Sequence, residues 1–135
     1  MTTPKIVDLP PDRCWELLGQ KTVGRLAVSI TNHPDIFPVN YRVSGEKIVI
    51  KTAEGQKLAA AVLGTSVAFE VDALDDATRT GWSIVVKGTA EEPRRLEDYL
   101  SAEDLDIEPW AQGNKSRYIV IVPSRVTGRE IPLTE

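Results

Sequence analysis

Apolar and polar residues alternate along most of this chain, and the period of the alternation switches between two and about 3.6, which assigns the elements. Val23, Arg25, Ala27, Ser29 and Thr31 interleave with Gly24, Leu26, Val28 and Ile30, the repeat of a strand with one face more apolar than the other. Thr31-Asn32-His33-Pro34-Asp35 is turn chemistry, and residues 36–43 resume as a strand. A tight turn over 44–47 leads to a third strand over 48–52. Pro38 has no N–H for a ladder, so its strand is expected at an edge or bulged at that point. Residues 66–72 and 81–90 read as further strands joined by a polar loop over 73–80. The apolar run Ile84-Val85-Val86 predicts burial on both faces, within a barrel and against a second subunit. A last strand covers 118–122 and 125–131, bent at Pro123 and Ser124.

Between these strands the period becomes helical. Residues 9–18 read as a short helix, with proline tolerated in its first turn, Cys14, Leu17 and Leu18 on one face, and Gly19 at its end. A second helix over 56–63 turns Leu58, Ala59, Val62 and Leu63 inward and closes at Gly64. A third begins at Pro93 and runs to residue 100, with Leu96, Tyr99 and Leu100 on its core side. The acidic stretch 102–109 reads as a solvated loop, and Trp110 beyond it either covers a ligand or anchors the loop. Six strands with short flanking helices predict a mainly β (α+β) fold, a small antiparallel barrel forming a single domain over 1–135.

Composition narrows the chemistry. A chain of 135 residues with one cysteine and one histidine has no disulfide framework, and a metal centre is not expected. Cys14 reads as part of a helix that plugs the core, and His33 as a solvated turn side chain. With 20 acidic against 16 basic residues and a net charge of −4, the chain lacks the basic footprint of a general nucleic-acid binder. No apolar run approaches the roughly 18 residues of a membrane span and the N-terminus lacks the features of a signal peptide, so a cytoplasmic protein is expected. Any anion site must be local.

One stretch offers such a site. The strands over 37–43 and 46–52 run into the turn Ala53-Glu54-Gly55 and a helix start, leaving Arg42, Lys51, Thr52 and Lys57 available to an anion. Free N–H groups at the helix start, the close approach that Gly55 permits and the charge of Lys57 together point to a phosphate-bearing ligand. Glycine and lysine at a helix start are also common without any ligand.

The series Val23-Gly24-Arg25-Leu26-Ala27, Pro38-Val39-Asn40-Tyr41, Ile48 to Thr52, Gly55-Gln56-Lys57-Leu58, Val67-Ala68-Phe69-Glu70-Val71-Asp72 and Gly81-Trp82-Ser83-Ile84-Val85-Val86-Lys87-Gly88 resembles the pyridoxamine 5'-phosphate oxidase-like family of flavin-binding split β-barrels. It is most similar to the small actinobacterial and nitroimidazole-reductase-like members, over roughly residues 15–130. The resemblance implies a homodimer with FMN at the subunit interface. It places Pro38, Val39, Asn40, Tyr41 and Arg42 along the isoalloxazine and ribityl chain, and Lys51, Thr52, Gln56 and Lys57 at the phosphate. Ser83 matches a family position that contacts the cofactor, Trp82 reaches toward the neighbouring site, and Trp110 is a candidate lid from the partner subunit.

The chain departs from the family at Gly55-Gln56, where an arginine or serine usually precedes the phosphate lysine, and the C-terminal basic substrate motif of the true oxidases is absent from its sequence. No nucleophile set or metal cluster is evident, so the flavin is expected to carry the redox chemistry toward a small-molecule substrate. The alternatives are a deazaflavin-dependent reductase and a non-catalytic flavin-binding dimer.

Overall fold

The computed structural model describes residues 5–52, 56–93, 95 and 117–133, with Thr52, Gln56, Lys57 and Arg117 described by their backbone alone. The elements run β1 (Val7–Leu9), α1 (Pro11–Leu18), β2 (Val23–Ile30), β3 (His33–Ser44), β4 (Lys47–Thr52), α2 (Gln56–Val62), β5 (Ser66–Asp75), β6 (Thr80–Glu91) and β7 (Arg117–Ile131). All strand pairs are antiparallel, in the order β1-β7-β4-β3-β2-β5-β6. A further pairing of β6 with β7 closes β2 to β7 into a ring of six strands, the expected antiparallel barrel. One edge of β7 is taken by β4 near Ile119 and by β1 near Arg129, while β6 runs along its other edge.

Strand alternation fills the interior. Leu26, Tyr41, Ile48, Ile50, Phe69, Ile84, Val86, Ile119 and Ile121 point inward and are fully buried, each such side chain contributing roughly 1.5–3 kcal/mol of hydrophobic burial. The ring of Tyr41 meets that of Phe69 edge-on, with centroids 4.9 Å apart and planes at 72°. As expected, α1 plugs this interior with Cys14, Leu17 and Leu18, and α2 adds Leu58, Ala59 and Val62. The backbone N–H of Gly19 bonds to the carbonyl of Trp15 at the end of α1; Gly19 keeps a right-handed φ of −70°. On the outside of the sheet, Val49 and Val120 form a second buried pair with Tyr118 and Val122 against them.

Several boundaries differ from the sequence expectation. Leu9 is not helical: Pro10 is extended at the N-cap, and Leu9 pairs with Gly128 in the short extra strand. The turn after β2 is only Thr31 and Asn32, both with positive φ, so His33 and Pro34 already belong to β3. His33 is exposed, as a solvated side chain would be. The loop expected over 73–80 is shorter, because β5 runs on to Asp75, whose carboxylate accepts the N–H groups of Ala77 and Thr78 and closes a tight hairpin. Within the single chain, burial along β6 is one-sided: Ile84, Val86 and Ala90 are inside, Val85 is half-buried and Lys87 exposed, and the outer face is the one the expectation gave to a second subunit.

Pro38 lies beyond the Asn40–Lys51 pair, and among the described residues its ladder partner is Arg25 of β2, consistent with its missing N–H. The register shifts between Lys87 and Gly88, opposite Pro123, where a bend was expected. The third helix falls almost wholly outside the described residues, as do the acidic loop and Trp110.

Candidate functional site

The residues that alternate with the core form a polar belt on the outside of the ring. On β3 the buried Val39 and Tyr41 are interleaved with Pro38, Asn40 and Arg42, which face outward. Lys51 on β4 pairs with Asn40, whose other cross-strand neighbour is Val23 on β2. Two residues along β2, Arg25 lies between Pro38 of β3 and Glu70 of β5. Asp72, on the same face of β5, pairs with Ser83 of β6, and Ser83 pairs in turn with Arg129 of β7. Four strand steps of about 4.8 Å separate Lys51 from Ser83 along this belt, roughly 19 Å around a curved surface.

This arrangement brings some of the sequence-predicted residues together and separates others. Asn40, Arg42 and Lys51 share one outward patch on β3 and β4. A guanidinium N–H of Arg42 donates to the carbonyl of Tyr41 at 2.8 Å, and the Lys51 ammonium lies 5.9 Å from the centre of the Tyr118 ring, a cation–π distance. Thr52 ends β4 and Gln56 and Lys57 begin α2, so all three lie along the same stretch of backbone beyond that patch. The side chains of Val39 and Tyr41 point into the core, so a ligand on the outer face of β3 would meet these two residues through their backbone. The Tyr41 hydroxyl donates to the carbonyl of Leu18 at 2.5 Å, and burial pushes its phenol well above the usual range, against a smaller opposing pull from Arg42. Ser83 faces outward but stands at the far end of the belt, whereas Trp82 packs against the core. Trp110 lies outside the described residues.

Three residues in the middle of the belt were not among the sequence-predicted site. One Arg25 nitrogen lies 3.3 Å from a Glu70 carboxylate oxygen and 3.5 Å from one of Asp72. Burial first, and then the adjacent Asp72 carboxyl, push the Glu70 carboxyl up to about 7, against the lowering effect of Arg25. The available signal was Phe69-Glu70-Val71-Asp72, whose period of two places both acids on one face. Their shared arginine is visible only once the β2–β5 register is known.

Comparison with known proteins identifies the lineage. The family profile described as pyridoxamine 5'-phosphate oxidase matches residues 10–130. An uncharacterised protein of Mycobacterium tuberculosis is 33% identical over 132 residues, covering 94% of this chain and 86% of its own. Among solved structures, a Corynebacterium glutamicum protein provisionally named a pyridoxamine 5'-phosphate oxidase is 39% identical, with a TM-score of 0.81 over 100% of this chain and 98% of its own. An FAD-binding protein of Mycobacterium smegmatis is 32% identical, with a TM-score of 0.76 over 93% of this chain and 100% of its own. The closed six-strand ring, the ordered motifs along it and a profile match across nearly its whole length agree: the chain belongs to the pyridoxamine 5'-phosphate oxidase family.

Proposed function

We propose that this protein is a flavin-dependent oxidoreductase that binds FMN, or the FMN unit of FAD, on the outer face of β3 and β4. The observation that carries the reading is the patch of Asn40, Arg42 and Lys51, set beside the strand end that leads to Gln56 and Lys57. Its donor set fits the group: guanidinium and ammonium ions suit a phosphate, and a carboxamide suits the polar edge of a flavin ring. The FAD bound by the similar M. smegmatis protein supports the same cofactor class here. A bound flavin would supply hydride and electron transfer, and the protein's own residues would hold and orient it.

A homodimer completes this reading. Ser83 stands four strands from Lys51 on one chain, too far for both to meet one flavin ring, so a site built on β3 and β4 of one copy would take its Ser83 contact from β6 of a second. The small-molecule substrate accepts or donates electrons at the exposed face of the ring.

The purified protein's absorbance spectrum, followed by titration with FMN, FAD and a deazaflavin, tests the cofactor. Tight binding of FMN or FAD with a flavin spectrum is expected, and preference for the deazaflavin shifts the reading to the reductase alternative. Failure to bind any of the three sinks the proposal. Reduction of the bound flavin by NAD(P)H and reoxidation by an acceptor then separate an enzyme from a non-catalytic flavin-binding dimer.

A further inference from the structure

We propose that Arg25, Glu70 and Asp72 form a proton-gated element at the centre of the flavin-facing belt, neutral when the two carboxyl groups share one proton and anionic when they do not. The inference rests on the flavin reading above and concerns how that site is regulated. Its basis is geometric. A single Arg25 nitrogen reaches both carboxylates, at 3.3 and 3.5 Å, so one positive charge faces two negative ones. Both acids are half-buried, with side-chain exposures of 33% for Glu70 and 24% for Asp72, which makes an uncompensated charge there costly.

Among the described residues, the outward side chains paired with the cluster do not supply a second close cation. Opposite Glu70 on β6 stands Val85, opposite Asp72 stands Ser83, and opposite Arg25 on β3 stands Pro38. Lys87, Arg125 and Arg129 are the other described cations on the β6 and β7 part of this face; all three are exposed and none is paired in register with an acid of the cluster. A proton taken from solvent therefore completes the charge balance, in keeping with the raised affinity of the Glu70 carboxyl for it. When that proton returns to solvent, the belt gains a negative charge between the Asn40–Lys51 patch and Ser83, and this opposes a flavin phosphate and an anionic reduced flavin.

The test measures FMN affinity of the wild type and of Glu70→Gln from about pH 6 to about pH 8.5, with the difference between the two proteins cancelling the ionisation of the FMN phosphate itself. Wild-type affinity is expected to fall by about tenfold more than that of Glu70→Gln across the range, since one pKa unit of coupling is a factor of ten. Parallel curves overturn the gate. Carboxyl-carbon NMR of the ligand-free wild type reads the proton directly: a Glu70 midpoint near 7 is expected, and an ordinary carboxylate midpoint overturns the shared proton whatever the flavin does. If FMN binds at neither pH, the cofactor reading and the coupling fall together while the NMR midpoint still decides the proton.

Discussion

The Tyr41 hydroxyl is hydrogen-bonded to the carbonyl of Leu18 at 2.5 Å, tying the middle of β3 to the last turn of α1. Both residues are fully buried, so the bond anchors the plug helix to the barrel wall. Tyr41→Phe leaves that carbonyl unpaired and is expected to cost about 1–2 kcal/mol, read as a lower midpoint in urea. Flavin affinity is expected to stay unchanged, because the ring faces the core; a weakened affinity in a folded variant would show that the hydroxyl itself supports the site.

Gly88 sits at the register shift opposite Pro123, where an added Cβ would lie 2.2 Å from the carbonyl oxygen of Val122. Backbone cannot step aside as a side chain can. Gly88→Ala is expected to destabilise the protein by about 3 kcal/mol, and a thermal melt within a degree of wild type would remove the bulge as a packing constraint.

The Glu70 cluster has a signed effect on stability. The carboxyl rises from 4.5 to about 7 in the folded state, so the stabilisation it lends is full below its unfolded value and lost as pH rises through about 7. Glu70→Gln cannot lose a proton, so above pH 7 it is expected to be more stable than wild type, by about 1 kcal/mol once solvent screening of a side chain one-third exposed is discounted. Denaturant midpoints at acid and alkaline pH check the sign.

At the phosphate end, Lys57→Ala is expected to weaken FMN binding by about 1.5–3 kcal/mol if the lysine makes a charge-assisted bond to the phosphate. Riboflavin lacks that phosphate, so its affinity should not change. Equal losses for both ligands would point to a disturbed fold rather than a lost phosphate contact.

Light scattering tests the shared site. A dimer at micromolar concentration is expected, whereas a monomer that still binds FMN tightly would place the whole site within one chain.

Much of the barrel was legible because strands such as 23–30 and 66–72 alternate, with Val67, Phe69 and Val71 on one side, and those three side chains are buried. Leu9 misled because proline suits both a helix start and the extended residue before one, and only its pairing with Gly128 decides between them. The candidate patch was half legible. Asn40 and Lys51 face outward as a ligand wall requires, but the same alternation turns Val39 and Tyr41 inward, and a motif read as a contiguous string conceals that division. The Arg25 cluster depends on pairing across residues distant in sequence, which no local pattern encodes.

The position of β7 in the ring sets the order in which this protein can be assembled. It is the last of the described strands, yet it pairs with β1, β4 and β6, joining residues as distant in sequence as Val7 and Glu130. The hairpins β2–β3, β3–β4 and β5–β6 can form from neighbouring sequence, but closing the ring must overcome the loop entropy of the longest separations. During synthesis the sheet therefore stays open along β4 and β6 until β7 emerges, and those two edges are where a nascent chain is most exposed to wrong partners.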